Sequence, residues 1–210
     1  MLGAVVLSLI AVGLASLLSA PTLVLVGIGL VAPWIALAGW PLVATAWLGN
    51  GPVVDLGLRL RAADWKWGLL GGLVAIAVAV AVGGITTLIF GEFTSAAGDL
   101  IEELRAFGPV VLVIMAVLVV IGAPVVEELA FRGMLFAALT KRGVRPEWVI
   151  VITAGLFSLF HLEPVRIPLL FALGLVFGYL RWKTRSLGAP IIAHSLNNLP
   201  GAIGLLVGVG

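Results

Sequence analysis

The first fifty residues hold no charged side chain, and five further apolar runs follow at 67–91, 108–140, 147–162, 167–180 and 187–208. About 20 apolar residues suffice to cross a bilayer as a helix, which satisfies its own backbone hydrogen bonds. Pro21 divides the first fifty residues into runs at 2–20 and 22–49, and Pro33 and Pro41 are expected to kink or break the second. Only 10% of residues are charged and the mean hydropathy is +1.25, too apolar a balance to cover a water-facing surface. The pattern predicts an all-α polytopic transmembrane helical bundle of about seven spans, with residues 1–50 as N-terminal membrane segments and 51–210 as the core. No nucleic-acid partner is expected; lipid is the main solvent.

One other reading of the first run is the weaker. Residues 1–20 resemble the core of a signal peptide, but the basic flank is missing, and a retained first helix is expected. The absence of cysteine excludes disulfides, thiolate metal sites and cysteine nucleophiles. GxxxG spacing at Gly174–Gly178 and Gly204–Gly208 reads as chance in a chain with 27 glycines.

The loops alternate in charge. Arg59, Arg61 and Lys66 lie in 55–66; Lys141, Arg142 and Arg145 in 141–147; Arg181, Lys183 and Arg185 in 181–185. Between them, 92–105 sets four acids against Arg105, and 163–166 holds only Glu163 and Arg166. The positive-inside rule then puts the basic loops in the cytoplasm and the C-terminus outside.

Of the 22 charged residues, 19 lie in loops or at span ends; Glu127, Glu128 and Arg132 do not. Three unpaired charges at mid-bilayer would cost roughly 10 kcal/mol, so such groups are by default functional. Glu128 and Arg132, four apart, share a helix face and can pair, whereas Glu127 is rotated by about 100° and stays free. Pro124 just upstream can release backbone groups near these charges. Both histidines, His161 and His194, also lie in or beside apolar runs, as do Asn197 and Asn198. Phe157 shares a face with His161, and His194 with Asn198. Counting inward from the basic loops, all these groups fall within about 10 Å of one level at 1.5 Å per residue, so they could meet in one polar cavity inside the membrane, as an active site or as interhelical glue.

The residues "EELAFR" at 127–132, "FSLFH" at 157–161 and "HSLNN" at 194–198 stand in order on successive apolar segments. They resemble the EExxxR, FxxxH and HxxxN motifs of the CPBP family of intramembrane proteases, which includes type II CAAX prenyl proteases and the bacteriocin-processing Abi proteins. The resemblance implies hydrolysis of a peptide bond. It implies Glu127 as general base for water, with His161 as its partner, and His194 and Asn198 as carbonyl and oxyanion ligands. Glu128, Arg132 and Phe157 would be supporting groups. Glu127, His161 and His194 could also hold a divalent metal such as zinc, and a metal-free site is favoured because Arg132 would occupy Glu128, the only other base.

The competing expectation is a non-catalytic membrane protein, an immunity or scaffold partner or an ion pathway using the same cluster; the missing inverted repeat argues against a transporter. The expected partner is a peptide or membrane-anchored protein substrate reached through a cytoplasm-facing cavity, in the cytoplasmic membrane of a prokaryote. Oligomeric state is left open.

Overall fold

The computed structural model describes residues 2–19 and 21–207, and no strand occurs among them. The chain runs through α1 (Leu2–Leu17), α2 (Leu23–Leu48), α3 (Ala62–Phe90), α4 (Ala96–Leu104), α5 (Pro109–Lys141), α6 (Pro146–Phe160), α7 (Pro164–Thr184) and α8 (Gly188–Val207). Among the described residues four of these, α2, α3, α5 and α7, are long and apolar enough to cross a membrane; α6 is apolar but shorter. The protein is an all-α polytopic membrane bundle.

Proline and glycine punctuate it. Pro109 and Pro146 begin α5 and α6 where a missing N–H costs nothing, and Gly91 and Gly108 precede or follow helices at positive φ. Asp64 caps α3 by accepting from the Arg61 N–H at 2.7 Å, and Ser95 caps α4 by accepting from the Gly98 N–H at 2.9 Å. Neither Pro33 nor Pro41 ends α2. The helix widens between them into a π-helical turn, Ile35–Gly39.

Loops of like charge character cluster at the same end of the bundle. At the basic end, Lys141 Nζ donates to Asp55 at 2.8 Å, the Leu187 N–H donates to the Gly57 carbonyl, and Ser186 Oγ bridges Arg59 and Asp64. The Lys141 hydrogen bond, then the Asn50 N–H, hold the Asp55 carboxyl below the usual carboxylate range. At the opposite end, Glu163 between α6 and α7 accepts from the Ala96 N–H of α4 at 3.1 Å and pairs with Arg166.

Glycines set how closely the helices approach. A Cβ added at Gly68, Gly71 or Gly72 of α3 would lie 2.5–2.7 Å from Ile192, Leu180 and Leu196 respectively, on α8 and α7. Gly174 is not the chance occurrence its spacing suggested. A Cβ there would lie 2.8 Å from Ala154 Cβ and 2.9 Å from Ala154 Cα, and one at Gly178 would lie 3.1 Å from Ile150. These contacts are a small-residue seam between α7 and α6, the packing that lipid-embedded helices use in place of a hydrophobic drive. Gly208 lies outside the described residues.

The seam makes a measurable demand. Gly174→Ala forces α6 backbone outward, so the variant should unfold in mild detergent with a loss of about 1–3 kcal/mol. Gly201→Ala, whose Cβ would meet nothing within 4 Å, should unfold like wild type.

Candidate active site

The three sequence motifs arrive at one place. Glu127, Glu128 and Arg132 come from the middle of α5, His161 from the C-terminal end of α6, and His194 and Asn198 from α8. A pocket of about 410 Å³ is lined by Glu127, His161, His194, Asn197 and Asn198 among others.

The buried charges are solved first. Glu128 and Arg132 are wholly inaccessible and bond through Oε1 and Nη1 at 2.9 Å, as the i, i+4 spacing predicts. Arg132 Nη2 donates to the Gly174 carbonyl at 3.0 Å. The guanidinium also lies over the Phe157 ring, 4.5 Å from its centroid, with Phe177 at 5.6 Å. Neither Gly174 nor Phe177 was singled out by the sequence as part of the site.

Glu128 Oε1 has a second partner, His194 Nδ1, at 3.0 Å. The carboxylate accepts, so Nδ1 carries the proton and Nε2 is turned elsewhere. Phe177 stacks on this imidazole, centroids 4.6 Å apart and planes 17° apart. His161 is oriented the same way by different means: its Nδ1 lies 2.8 Å from the Phe157 carbonyl, which can only accept. Phe157 therefore supports both halves of the site, through its carbonyl to His161 and its ring to Arg132.

With both Nδ1 atoms engaged, both Nε2 atoms face Glu127. His194 Nε2 stands 3.8 Å and His161 Nε2 4.0 Å from Glu127 Oε2. Those gaps are too long for hydrogen bonds, and Oε2 is buried with no hydrogen-bond partner. The Glu127 side chain remains 18% exposed and reaches the pocket. It is the carboxylate left free, as the rotation from Glu128 requires.

Backbone irregularity completes the site. The π-helical turn Leu118–Gly122 bonds the Ala123 N–H to the Leu118 carbonyl, and Pro124 has no N–H. The Val119 carbonyl is thus denied both helical donors, and Asn198 Nδ2 supplies one at 3.0 Å. That contact fixes the amide: Oδ1 of Asn198 accepts from Asn197 Nδ2 at 3.3 Å, and the second N–H of Asn198 stays free. A second π-helical turn, Leu129–Leu135, follows the glutamates, and Arg181 Nε caps the Arg132 carbonyl within it at 2.8 Å. Trp34 packs against Gly122, where a Cβ would come within 2.6 Å of the indole, and it lines the pocket; only the neighbouring Pro33 hinted at it.

The donor set does not fit a metal as placed. No group of three or more His, Cys, Asp and Glu among the described residues could share an ion. Ligands of a tetrahedral ion with bonds of about 2.1 Å lie about 3.4 Å apart, so the two Nε2 atoms, 3.8 and 4.0 Å from Glu127 Oε2, would have to close by about half an ångström to share one.

Residues 109–200 match the model of a family described as "Type II CAAX prenyl endopeptidase Rce1-like". Over 156 residues the chain is 26% identical to "Putative membrane peptidase YdiL" of Bacillus subtilis (strain 168). That alignment covers 72% of this chain and 58% of the relative, so the chain spans less than two thirds of the relative's length. No solved structure matches significantly.

The shared carboxylate predicts a rescue. Arg132→Met strands Glu128 in apolar surroundings and should cost about 3–5 kcal/mol of stability in detergent unfolding. Adding Glu128→Gln, which still accepts from His194, should restore most of it. A fully stable Arg132→Met single variant would remove the pair from the account.

Proposed function

The chain belongs to the CPBP/Rce1-like CAAX protease family, and on that premise we propose that it is an intramembrane endopeptidase. It hydrolyses a peptide bond of a peptide or membrane-anchored substrate with water activated by Glu127. One observation carries the reading: a free carboxylate on a pocket wall is faced by two imidazoles whose other nitrogens are already committed. Catalytic hydrogen bonds often tighten only when substrate is bound, so separations of 3.8 and 4.0 Å leave Glu127 within reach of both.

In this mechanism Glu127 takes a proton from water and the hydroxide attacks the scissile carbonyl. His161 Nε2 accepts a hydrogen bond from the same water and holds it against Glu127. The oxyanion is received by the free N–H of Asn198 and by His194. Because His194 Nδ1 already donates to Glu128, its Nε2 can donate to the oxyanion only when the ring carries both protons. Collapse of the tetrahedral intermediate breaks the C–N bond, and the proton held by Glu127 passes to the leaving amine. Glu128 and Arg132 hold His194 and the α5 backbone in place.

Residues 51–210 form the catalytic core in this reading, and 1–50 add flanking membrane segments, including the wall residue Trp34. Seven helices cross the membrane: the four long ones together with α1, α6 and α8. The pocket then lies within the bilayer, and the protein resides in the cytoplasmic membrane of a prokaryote, a setting supported by the bacterial relative.

Purified protein in detergent should cleave members of a peptide library, and Glu127→Gln should lower kcat at least 100-fold with unchanged melting. A Gln variant with the wild-type rate would remove Glu127 as base. A zinc chelator should leave the rate unchanged; inactivation reversed by zinc would contradict the metal-free mechanism.

A further inference from the structure

Gly71 lets α7 press on α3, since a Cβ there would come within 2.5 Å of Leu180. Trp67 lies one turn from Gly71 toward the start of α3, and Lys183 lies three residues beyond Leu180. The close crossing therefore brings the two together at the basic end of the bundle. Lys183 Nζ sits over the Trp67 indole, 4.3 Å from its centroid, and Lys66 Nζ reaches the same ring at 6.0 Å. Tyr179, one turn before Lys183, lies 5.8 Å from the same ammonium and packs on Trp182. Both lysines, Tyr179 and Trp182 are exposed. Neither lysine has an acidic partner among the described residues. The acids of the adjoining loop are committed elsewhere. Asp64 is buried and accepts from the Arg61 N–H and Ser186 Oγ, while Asp55 accepts from Lys141 and the Asn50 N–H. Two cations are thus gathered on one indole with no counter-charge. The third basic loop differs, for Lys141 pairs with Asp55 and Arg145 with Glu147, which leaves Arg142.

We propose that Lys66 and Lys183, set around Trp67 and flanked by Tyr179 and Trp182, bind the headgroup of an anionic phospholipid across α3 and α7. The ligand class follows from the chemistry of the patch. Two ammonium groups on long, turning stems can converge on one phosphodiester as point charges. Tyr and Trp rings belong at the headgroup level of a bilayer, where the hydroxyl and indole N–H can donate to ester oxygens. Leu70 and Leu73 continue the helical face of Lys66 and are exposed, which gives an acyl chain an apolar track that a free phosphate would not need. Basic groups between membrane helices recognise anionic headgroups in this way. A lipid held there ties α3 to α7, six residues along α7 from Phe177, the ring that stacks on His194. The site lies outside the pocket and does not depend on the endopeptidase reading.

The test titrates detergent-solubilised protein with phosphatidylglycerol or phosphatidylcholine, counts bound lipid by native mass spectrometry and follows melting. Phosphatidylglycerol should bind and raise the melting temperature, and phosphatidylcholine should do neither. Lys66→Gln and Lys183→Gln should each weaken phosphatidylglycerol binding about five-fold, and the double variant roughly 30-fold. The double Lys→Arg variant, which keeps both charges, should still bind. Arg142→Gln removes one charge from the other basic loop and should leave binding unchanged. Equal binding of the two lipids, or no loss in the folded double Gln variant, would overturn the site. A loss with Arg142→Gln as large as that with Lys183→Gln would reduce it to attraction by net charge and overturn it too. Displacement of the lipid by millimolar inorganic phosphate would make the cations a free-anion site and overturn the lipid.

Discussion

A single oxygen, Oε1 of Glu128, accepts from both Arg132 Nη1 and His194 Nδ1. Everything else in the site depends on that double acceptance. Lipid tolerates a buried carboxylate only when it is partnered, and the partners here come from its own helix and from α8. The bond from His194 therefore locks α8 to α5 at a fixed rotation. It also decides which glutamate is left free: Glu128 is held by two strong donors, and Oε2 of its neighbour Glu127, one helical step round, has none.

The two π-helical turns of α5 bracket that pair and act as its complement. An unbroken α-helix would pair every carbonyl in this stretch. The turn at Leu118–Gly122, with Pro124 behind it, exposes the Val119 carbonyl, and the later turn lets the Arg132 carbonyl accept from Arg181. Each freed acceptor binds a side chain from a distant helix, so local irregularity in α5 becomes tertiary order in α7 and α8. π-Helical turns cost local regularity and occur disproportionately at functional sites.

Much of this was legible in the residues. Helical spacing alone separates the paired Glu128 from the free Glu127, and counting inward from basic loops brings the three motifs to one level. Phe157 and His161 were read as sharing a face, and the contact is between them. What stayed hidden depends on contacts between helices far apart in sequence. The Gly174 carbonyl and the Phe177 ring look like ordinary lipid-facing residues until α7 is docked. The Gly174–Gly178 spacing was read as chance because glycine is common here, whereas close approach to Ala154 and Ile150 requires it. Trp34 lies in an uncharged segment without periodic signal, and only tertiary contact reveals it on the pocket wall.

With only two histidines in the chain, ring protonation can be read directly. Histidine-selective ¹⁵N spectra of detergent-solubilised protein, assigned with single His161 and His194 variants, report which nitrogen bears the proton. The account predicts a proton on Nδ1 of both rings, with Glu128→Gln altering the His194 Nδ1–H signal and leaving His161 unchanged. Nδ1 found bare on either ring, or a His194 signal indifferent to Glu128→Gln, would contradict the claim that the anchored imidazoles turn their Nε2 atoms toward Glu127.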